Sequence, residues 1–266
     1  MQDPDVLELL QPAIDEAAVL GAVELGSVDA DFNRAVQPNV DSNGDPAPPG
    51  TSENRGAESV LGNFVADVQY WSANQDTAID IAFMNPGGLR KDIAFAPDGV
   101  VTFKEAADVQ PFANSLFTQT LTGAQVKQVL EEQWQPAGSS RPFLKLGVNQ
   151  GLKYTFDPTA PAGSHITGIT LDGVPIDPAA SYRVVANSFL AAGGDNFFTL
   201  AQARTAPTRA RSTCSRRSTG SRSSARRRPT TRSARSASRS RHPTRAGSTR
   251  ATPSRSTCRR SASRRP

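Results

Sequence analysis

The sequence predicts an α+β fold in which helices and strands alternate irregularly along the chain. Three stretches have apolar residues at steps of three and four, as amphipathic helices do. Six short runs rich in β-branched and aromatic residues have the pattern of strands. Because these segments do not follow a regular strand–helix–strand repeat, their order favours α+β over a doubly wound parallel sheet.

Composition divides the chain into four segments. Residues 1–36 are predicted to be helical, with an apolar stripe along residues 4–25. Residues 37–54 are predicted to be a flexible loop, because Pro, Gly, Ser and Asn dominate the run DSNGDPAPPGTSEN. Compact structure is predicted over residues 55–202, and residues 203–266 form a tail of different composition.

The elements of the compact segment follow in order. A helix is predicted over residues 60–68, where valine, leucine and phenylalanine form one stripe. The run TGAQ at residues 122–125 has the form of a capping box and opens a second helix that reaches Trp134. Asp172 and Gly173 are typical of a hairpin turn. The predicted strands cover residues 79–83, 100–103, 115–121, 152–156, 166–171 and 182–186.

The net charge of +5 hides two oppositely charged parts. Twenty of the 30 basic residues are arginines of residues 203–266, where no acid occurs, and the other ten share residues 1–202 with all 25 acids. The body of the chain therefore carries a charge of −15 and the tail a charge of +20. An acidic body argues against non-specific nucleic-acid binding by that part.

Several kinds of site are excluded from residues 1–202. This part has no cysteine and a single histidine, His165, which excludes a disulfide framework, a thiolate metal site and a His-rich metal centre. No apolar run of about 18 residues occurs, so no membrane-spanning helix is expected, and the N-terminus lacks the pattern of a signal peptide. We assign His165 no role, and we interpret Asp67, Asp80 and Asp92 as acids of a helix face or a turn rather than as ligands.

Four segments carry polar and aromatic residues beside predicted elements. Residues 55–63 (RGAESVLGN) lead into a helix, and residues 85–90 (NPGGLR) follow a strand directly. Residues 110–114 (QPFAN) precede another strand, and residues 187–195 (NSFLAAGGD) end the last one. Taken singly, the phenylalanines are typical of a core, the arginines of a solvated surface and the run GGD of an ordinary turn.

Together, in this order and spacing, the four segments closely resemble the C-terminal, substrate-binding domain of the 5'-nucleotidase family. The resemblance covers residues 55–200 and includes the runs LTG at residues 121–123 and GLKY at residues 151–154. It implies a layered α/β/β/α sandwich with mixed sheets. It also implies that residues 1–36 are the helical connector to an N-terminal metallophosphatase domain, which this chain lacks.

The resemblance further implies a nucleotide or nucleoside ligand. Phe112 and Phe189 match two phenylalanines that hold the base between their faces, an arrangement that tolerates every base. Asp195 matches the acid that accepts hydrogen bonds from the ribose hydroxyls. The family's arginines, whose guanidinium groups bind anionic oxygens, are matched by Arg55 and Arg90. The remaining predicted contacts are Asn85, Gly88 and Gly194.

No catalytic residue, metal ligand or cofactor is predicted within this chain. In the family, two divalent metal ions held by the N-terminal domain activate the water that attacks the phosphate ester. We therefore expect a hydrolase of nucleotide catabolism by resemblance, secreted or held at the cell surface or in the periplasm, but no activity from these residues alone. Two alternatives stay open: a non-catalytic nucleoside-binding module, and a nucleic-acid binder that acts through the tail.

The tail, residues 203–266, uses only eight residue types: Arg, Ser, Thr, Ala, Pro, Gly, Cys and His. A segment of this composition cannot bury a core, so we predict that it is disordered. Its 20 arginines would bind nucleic acid only non-specifically. All eight residue types have codons rich in G and C, which favours the product of a frameshift in a GC-rich gene over a selected basic arm.

Overall fold

A mixed four-stranded sheet lies at the centre of the computed structural model, which describes residues 4–203. The helices are α1 (Pro4–Gly21), α2 (Val60–Asn74), α3 (Phe103–Val109), α4 (Gly123–Glu131), α5 (Ser188–Ala191) and α6 (Phe198–Gln202). The strands are β1 (Glu24–Ser27), β2 (Val36–Val40), β3 (Pro46–Glu53), β4 (Ile81–Met84), β5 (Val100–Thr102), β6 (Leu116–Thr122), β7 (Gly147–Val148), β8 (Leu152–Phe156), β9 (Ile166–Leu171), β10 (Val174–Pro175) and β11 (Ser181–Asn187).

The central sheet has the strand order β6-β11-β4-β7. Strand β11 runs parallel to β4 and antiparallel to β6, and β4 runs antiparallel to β7. Asn187, the last residue of β11, therefore lies opposite Leu116, the first residue of β6. Met84, at the end of β4, lies opposite Gly147, where β7 begins. At one end of the sheet, β4 and β11 therefore finish and β6 and β7 begin. We call this end of the four strands the common edge.

Each face of this sheet packs against its own core. Successive strand residues point to opposite faces, so all four residues of β4 are buried. The face that includes Phe83 packs on α4, α6 and a second sheet of order β10-β9-β8. The opposite face, which includes Met84, packs on the buried side of α2. The result is the predicted α+β arrangement with several sheets, of which the central one is mixed and the other three in residues 4–203 are antiparallel.

Side-chain caps start α2, α3 and α4 at defined residues, and Asn187 caps α5 in the same way. The hydroxyl of Ser59 accepts the backbone N–H of Gly62 and caps α2. Thr122 and Gln125 form the predicted capping box at the start of α4. A second capping box, which the sequence analysis did not identify, joins Thr102 to Glu105. It ends β5 one residue early and turns the chain into α3.

The N-terminal region differs from its prediction in two ways. Helix α1 ends at Gly21 rather than at residue 25, because the next residues form β1, which pairs with β5. Residues 37–54, predicted to be a flexible loop, instead form most of an antiparallel hairpin of β2 and β3. Its turn is held by Asp41, whose Oδ1 accepts backbone N–H groups of Asn43 and Asp45. Proline is tolerated on both sides because this two-stranded ribbon has free edges.

Within the described residues, no helix is both long and apolar enough to cross a lipid bilayer. The arginine-rich tail predicted to be disordered lies, after Ala203, outside the residues that the structure describes.

Candidate functional site

The predicted site segments meet at the common edge of the central sheet. Residues 85–90 leave the end of β4, and residues 188–195 leave the end of β11, directly beside it. Residues 110–114 arrive at the same edge because they precede β6, which is antiparallel to β11. Carboxyl ends of adjacent parallel strands are a common place for ligand sites. The topology therefore brings three of the four segments together.

A chain of amide and carboxylate hydrogen bonds forms the centre of this edge. The side-chain amide of Asn187 donates to Asn85 Oδ1 at 2.9 Å, and the amide of Asn85 donates to Asp195 Oδ2 at 2.9 Å. Asn187 is completely buried and Asn85 is 2% exposed, so their dipoles are fixed. Asn85 thus lies beneath Asp195 and orients its carboxylate, in addition to its predicted role beside the ligand.

Arg55 reaches the same point from the fourth segment. A methyl group on Gly87 would lie 3.1 Å from Arg55 Nη1 and 3.5 Å from Asp195 Oδ2, so the guanidinium and the carboxylate flank this glycine. The backbone carbonyl of Arg55 accepts the N–H of Lys145 at 2.8 Å, just before β7. Arg55 is therefore anchored to the sheet edge through its own backbone.

A row of alternating charges holds the Arg55 side chain from behind. Arg55 Nε donates to Glu53 Oε2 at 2.8 Å, and Glu53 Oε1 lies 3.6 Å from Arg34 Nη1. Arg34 in turn donates from Nε to Asp92 Oδ1 at 2.9 Å. Burial raises the pKa of Asp92, but hydrogen bonds and charge from Arg34 outweigh it, so this pKa lies below its ordinary value. The hydrogen bond to Asp92 likewise raises the pKa of Arg34.

Sequence reasoning missed Glu53 and Arg34 as parts of the site. They lie in the segments predicted to be a loop and a connector, and the Arg34–Asp92 contact spans 58 residues of chain. No local pattern marks such a contact. Asp80 has a similar contact within the protein, since its Oδ2 accepts the backbone N–H of Arg183 at 2.7 Å.

Both predicted stacking residues lie at the surface of this edge rather than in a core. Phe112 is 53% exposed and Phe189 is 47% exposed, so neither ring is part of a buried core. The guanidinium of Arg90 lies 5.7 Å from the centre of the Phe112 ring. Phe189 lies directly over Gly194, where a methyl group would come within 2.5 Å of ring atoms. Their sandwiching of one base stays a prediction.

Gly88 is required by the protein itself. A methyl group at this position would lie 2.5 Å from Cε of Met84, which is completely buried. The sulfur of Met84 also accepts the side-chain amide of Gln69 at 3.2 Å and that of Asn187 at 3.5 Å. The missing side chain at Gly88 thus leaves room for Met84 beneath the turn, and the contact of Gly88 with a ligand stays a prediction.

The donor groups of residues 4–203 do not fit a metal site, since no group of three or more His, Cys, Asp or Glu side chains could hold an ion there.

His165 is buried, with Nδ1 3.0 Å from Glu131 Oε2 and its ring stacked on Trp134 at 4.0 Å. These contacts hold the imidazole ring inside the core. A separate cavity of about 610 Å³ lies between α2 and the turn at Asp172, and none of the predicted contacts lines it.

Comparison with known proteins agrees with this geometry. The family model described as "5'-nucleotidase, C-terminal domain" matches residues 40–202. A cell wall protein of Listeria monocytogenes is 37% identical over 147 residues, which cover 53% of this chain and 18% of that protein. The NAD 5'-nucleotidase of Haemophilus influenzae is 33% identical over 151 residues, covering 53% of this chain and 24% of that protein.

Solved structures give the same result. The crystal structure of a 5'-nucleotidase precursor from Thermus thermophilus aligns with a TM-score of 0.56 at 30% identity, covering 75% of this chain and 35% of that one. The NAD nucleotidase of Haemophilus influenzae aligns with a TM-score of 0.53 at 28% identity, covering 76% and 34%. This chain thus spans only about a third of those structures. The chain belongs to the 5'-nucleotidase family, whose members are hydrolases, and carries its C-terminal domain.

Proposed function

We propose that this chain is the nucleotide-recognition part of a 5'-nucleotidase-type phosphohydrolase, which releases phosphate from nucleoside 5'-phosphates in nucleotide catabolism. The observation that supports it best is the meeting of Arg55, Asn85 and Asp195 at one sheet edge. Two half-exposed phenylalanines flank the same segments. Acid, guanidinium and aromatic groups are the three chemistries that a nucleotide's ribose, phosphate and base require.

In the proposed complex, each group has one task. The base lies between Phe112 and Phe189, each face contributing roughly 1–3 kcal/mol. The Asp195 carboxylate, held from below by Asn85 at 2.9 Å, accepts hydrogen bonds from the ribose hydroxyls. The guanidinium groups of Arg55 and Arg90 attract the anionic end of the nucleotide. Gly194 has no side chain, which leaves room for the Phe189 ring beside the base.

The chemical step belongs, in this proposal, to a metallophosphatase domain that is not among the residues described here. Two divalent ions in that domain would supply the activated water. Since the donor groups of residues 4–203 do not fit such a site, we expect this chain alone to leave AMP unhydrolysed with added divalent metal. Phosphate release well above a protein-free control would contradict this part of the proposal.

A secreted, cell-surface or periplasmic location is part of the same proposal. It is supported by the similarity to a protein named for the cell wall. The partner that we expect is the catalytic domain itself, which would close over the exposed side of the nucleotide.

Calorimetric titration of the full chain with adenosine and with AMP tests the proposed function. We expect saturable binding that falls at least about fivefold in Phe112→Ala and in Phe189→Ala, from the loss of one stacked face. Phe95→Ala is the matched control, because Phe95 is equally exposed at 48% but belongs to none of the site segments. Absence of binding, or an equal loss in the control variant, would refute the proposal.

A further inference from the structure

The turn that carries Asp195 has an energetically unfavourable backbone conformation, with positive φ angles at two non-glycine residues. Gly193 has φ 87°, which glycine adopts freely, but Asp195 and Asn196 follow at φ 56° and 64°. Two consecutive non-glycine residues in the left-handed region cost free energy, and such a turn persists only where its surroundings hold it. The acid assigned to the ribose thus lies in a turn whose backbone conformation depends on support from its surroundings.

One side chain holds both strained residues. Gln135, four residues beyond the end of α4, donates from Nε2 to the carbonyl oxygen of Asp195 at 2.9 Å. Its Oε1 accepts the side-chain amide of Asn196 at 2.8 Å. Nε2 also donates to the carbonyl of Glu132 at 2.9 Å. Both N–H groups and the carbonyl of the carboxamide are therefore used, which fixes its orientation.

The segment that presents Gln135 is itself anchored. The backbone N–H of Gln135 donates to the carbonyl of Pro142 at 2.9 Å, and Trp134 forms a β-bridge with Phe143. Farther along the turn, Glu132 accepts the backbone N–H of Thr199 at 3.0 Å. Residues 132–135 thus hydrogen-bond to the turn both before and after the buried Phe197.

We propose that Gln135 is a positioning residue for Asp195. This inference rests on the proposed nucleotide site. Gln135 fixes the backbone of the acid, while Asn85 fixes its carboxylate at 2.9 Å. With both ends held, Asp195 presents its free oxygen to the ribose without having to reorganise on binding. The side chain of Gln135 hydrogen-bonds to Asp195, Asn196 and Glu132 and is not one of the groups assigned to the ligand.

The test compares Gln135→Ala with Gln128→Ala in the full chain. Gln128 is a matched control because it is exposed on α4, a short distance before Gln135 in the sequence. Adenosine affinity, measured by calorimetry, is expected to fall at least tenfold in Gln135→Ala and to stay unchanged in the control. Amide hydrogen exchange of residues 193–199 is expected to accelerate only in Gln135→Ala.

A double-mutant cycle separates positioning from general destabilisation. In an Asp195→Asn background, Gln135→Ala is expected to cost less than about twofold in affinity, because the acid that it positions is gone. A tenfold loss in that background would show a merely structural role and overturn the inference. So would a Gln135→Ala variant that binds adenosine as the wild type does.

Two further outcomes are distinguishable from these. If Gln135→Ala does not fold, Gln135→Glu keeps the side-chain length and the acceptor for Asn196 but sets an oxygen against two carbonyls. We then expect the same tenfold loss from Gln135→Glu, and wild-type affinity would overturn the inference. If the wild-type chain binds neither adenosine nor AMP, the proposed function is wrong and the inference falls with it.

Discussion

Replacing Gly194 with alanine is expected to remove one base-binding face without unfolding the chain. The Phe189 ring lies so close to Gly194 that a methyl group would sit 2.5 Å from Cε1 and Cζ, well inside van der Waals contact. Gly194 itself is not in the left-handed region, so alanine adds no backbone strain. The ring must therefore move, and it is free to do so because Phe189 is 47% exposed.

The expected magnitude follows from what the displaced ring contributes. One aromatic face stacked on a base is worth roughly 1–3 kcal/mol. At about 1.4 kcal/mol for each tenfold change, adenosine affinity falls about five- to 150-fold. The cost to folding is smaller, below about 1 kcal/mol, since an exposed ring turns outward and no core cavity opens. Affinity and stability thus respond very differently to Gly194→Ala.

Calorimetry with adenosine and a thermal unfolding scan measure the two effects. Gly26→Ala is the matched control, because a methyl group at that glycine meets nothing within 4 Å. In a Phe189→Ala background, Gly194→Ala is expected to cost nothing further in affinity, since the ring is already gone. Wild-type affinity in Gly194→Ala would refute the reasoning, and so would an additional loss in the double variant.

Three further predictions concern the scaffold of the site. Ser59→Ala is expected to lower the free energy of unfolding by about 1 kcal/mol, because the hydroxyl accepts a first-turn N–H of α2 at 2.8 Å; an unchanged urea midpoint would contradict this. Asp92→Asn is expected to flatten the acid side of the stability curve. Arg34 holds the pKa of Asp92 below its ordinary value although burial opposes it, so this contribution is present above about pH 4 and is lost as the pH falls further. Thermal unfolding from about pH 3 to 7 checks it, and parallel curves for the two proteins would count against it. Glu53→Gln is expected to weaken AMP binding by a factor of about two to ten, since a neutral amide holds Arg55 less firmly than the carboxylate now 2.8 Å away and the ligand must order the guanidinium instead; equal calorimetric affinities would disprove this.

Elements with a strong local pattern could be predicted from the sequence. Strands β8 and β9 have the predicted bounds, because alternating residues end in clear turn signals on both sides. The capping box at Thr122 fixes the start of α4 for a similar reason. The resemblance added what no local pattern supplies, namely that the four separate segments belong to one site.

Contacts between distant parts of the chain could not be predicted in this way. The hairpin of β2 and β3 has a loop-like composition, and it is extended because its two strands pair, from Val36 opposite Glu53 to Val40 opposite Pro46. Gln135 and Asp195 are 60 residues apart, and nothing local to either one indicates the other. The left-handed φ of Asp195 could not be predicted either, because the two glycines before it are enough to predict an ordinary turn at GGD.

The row of alternating charges from Asp92 through Arg34 and Glu53 to Arg55 determines where a shortened form of this domain can begin. A shortened chain that begins at residue 55 would retain every residue expected to touch the ligand, yet it would lose Glu53 and Arg34 together. One that begins at residue 40, where the family match starts, would retain Glu53 but not Arg34, and would leave Asp92 without its cation. The unit that recognises a ligand is thus larger than the unit that contacts it, and an excised recognition module has to start ahead of Arg34.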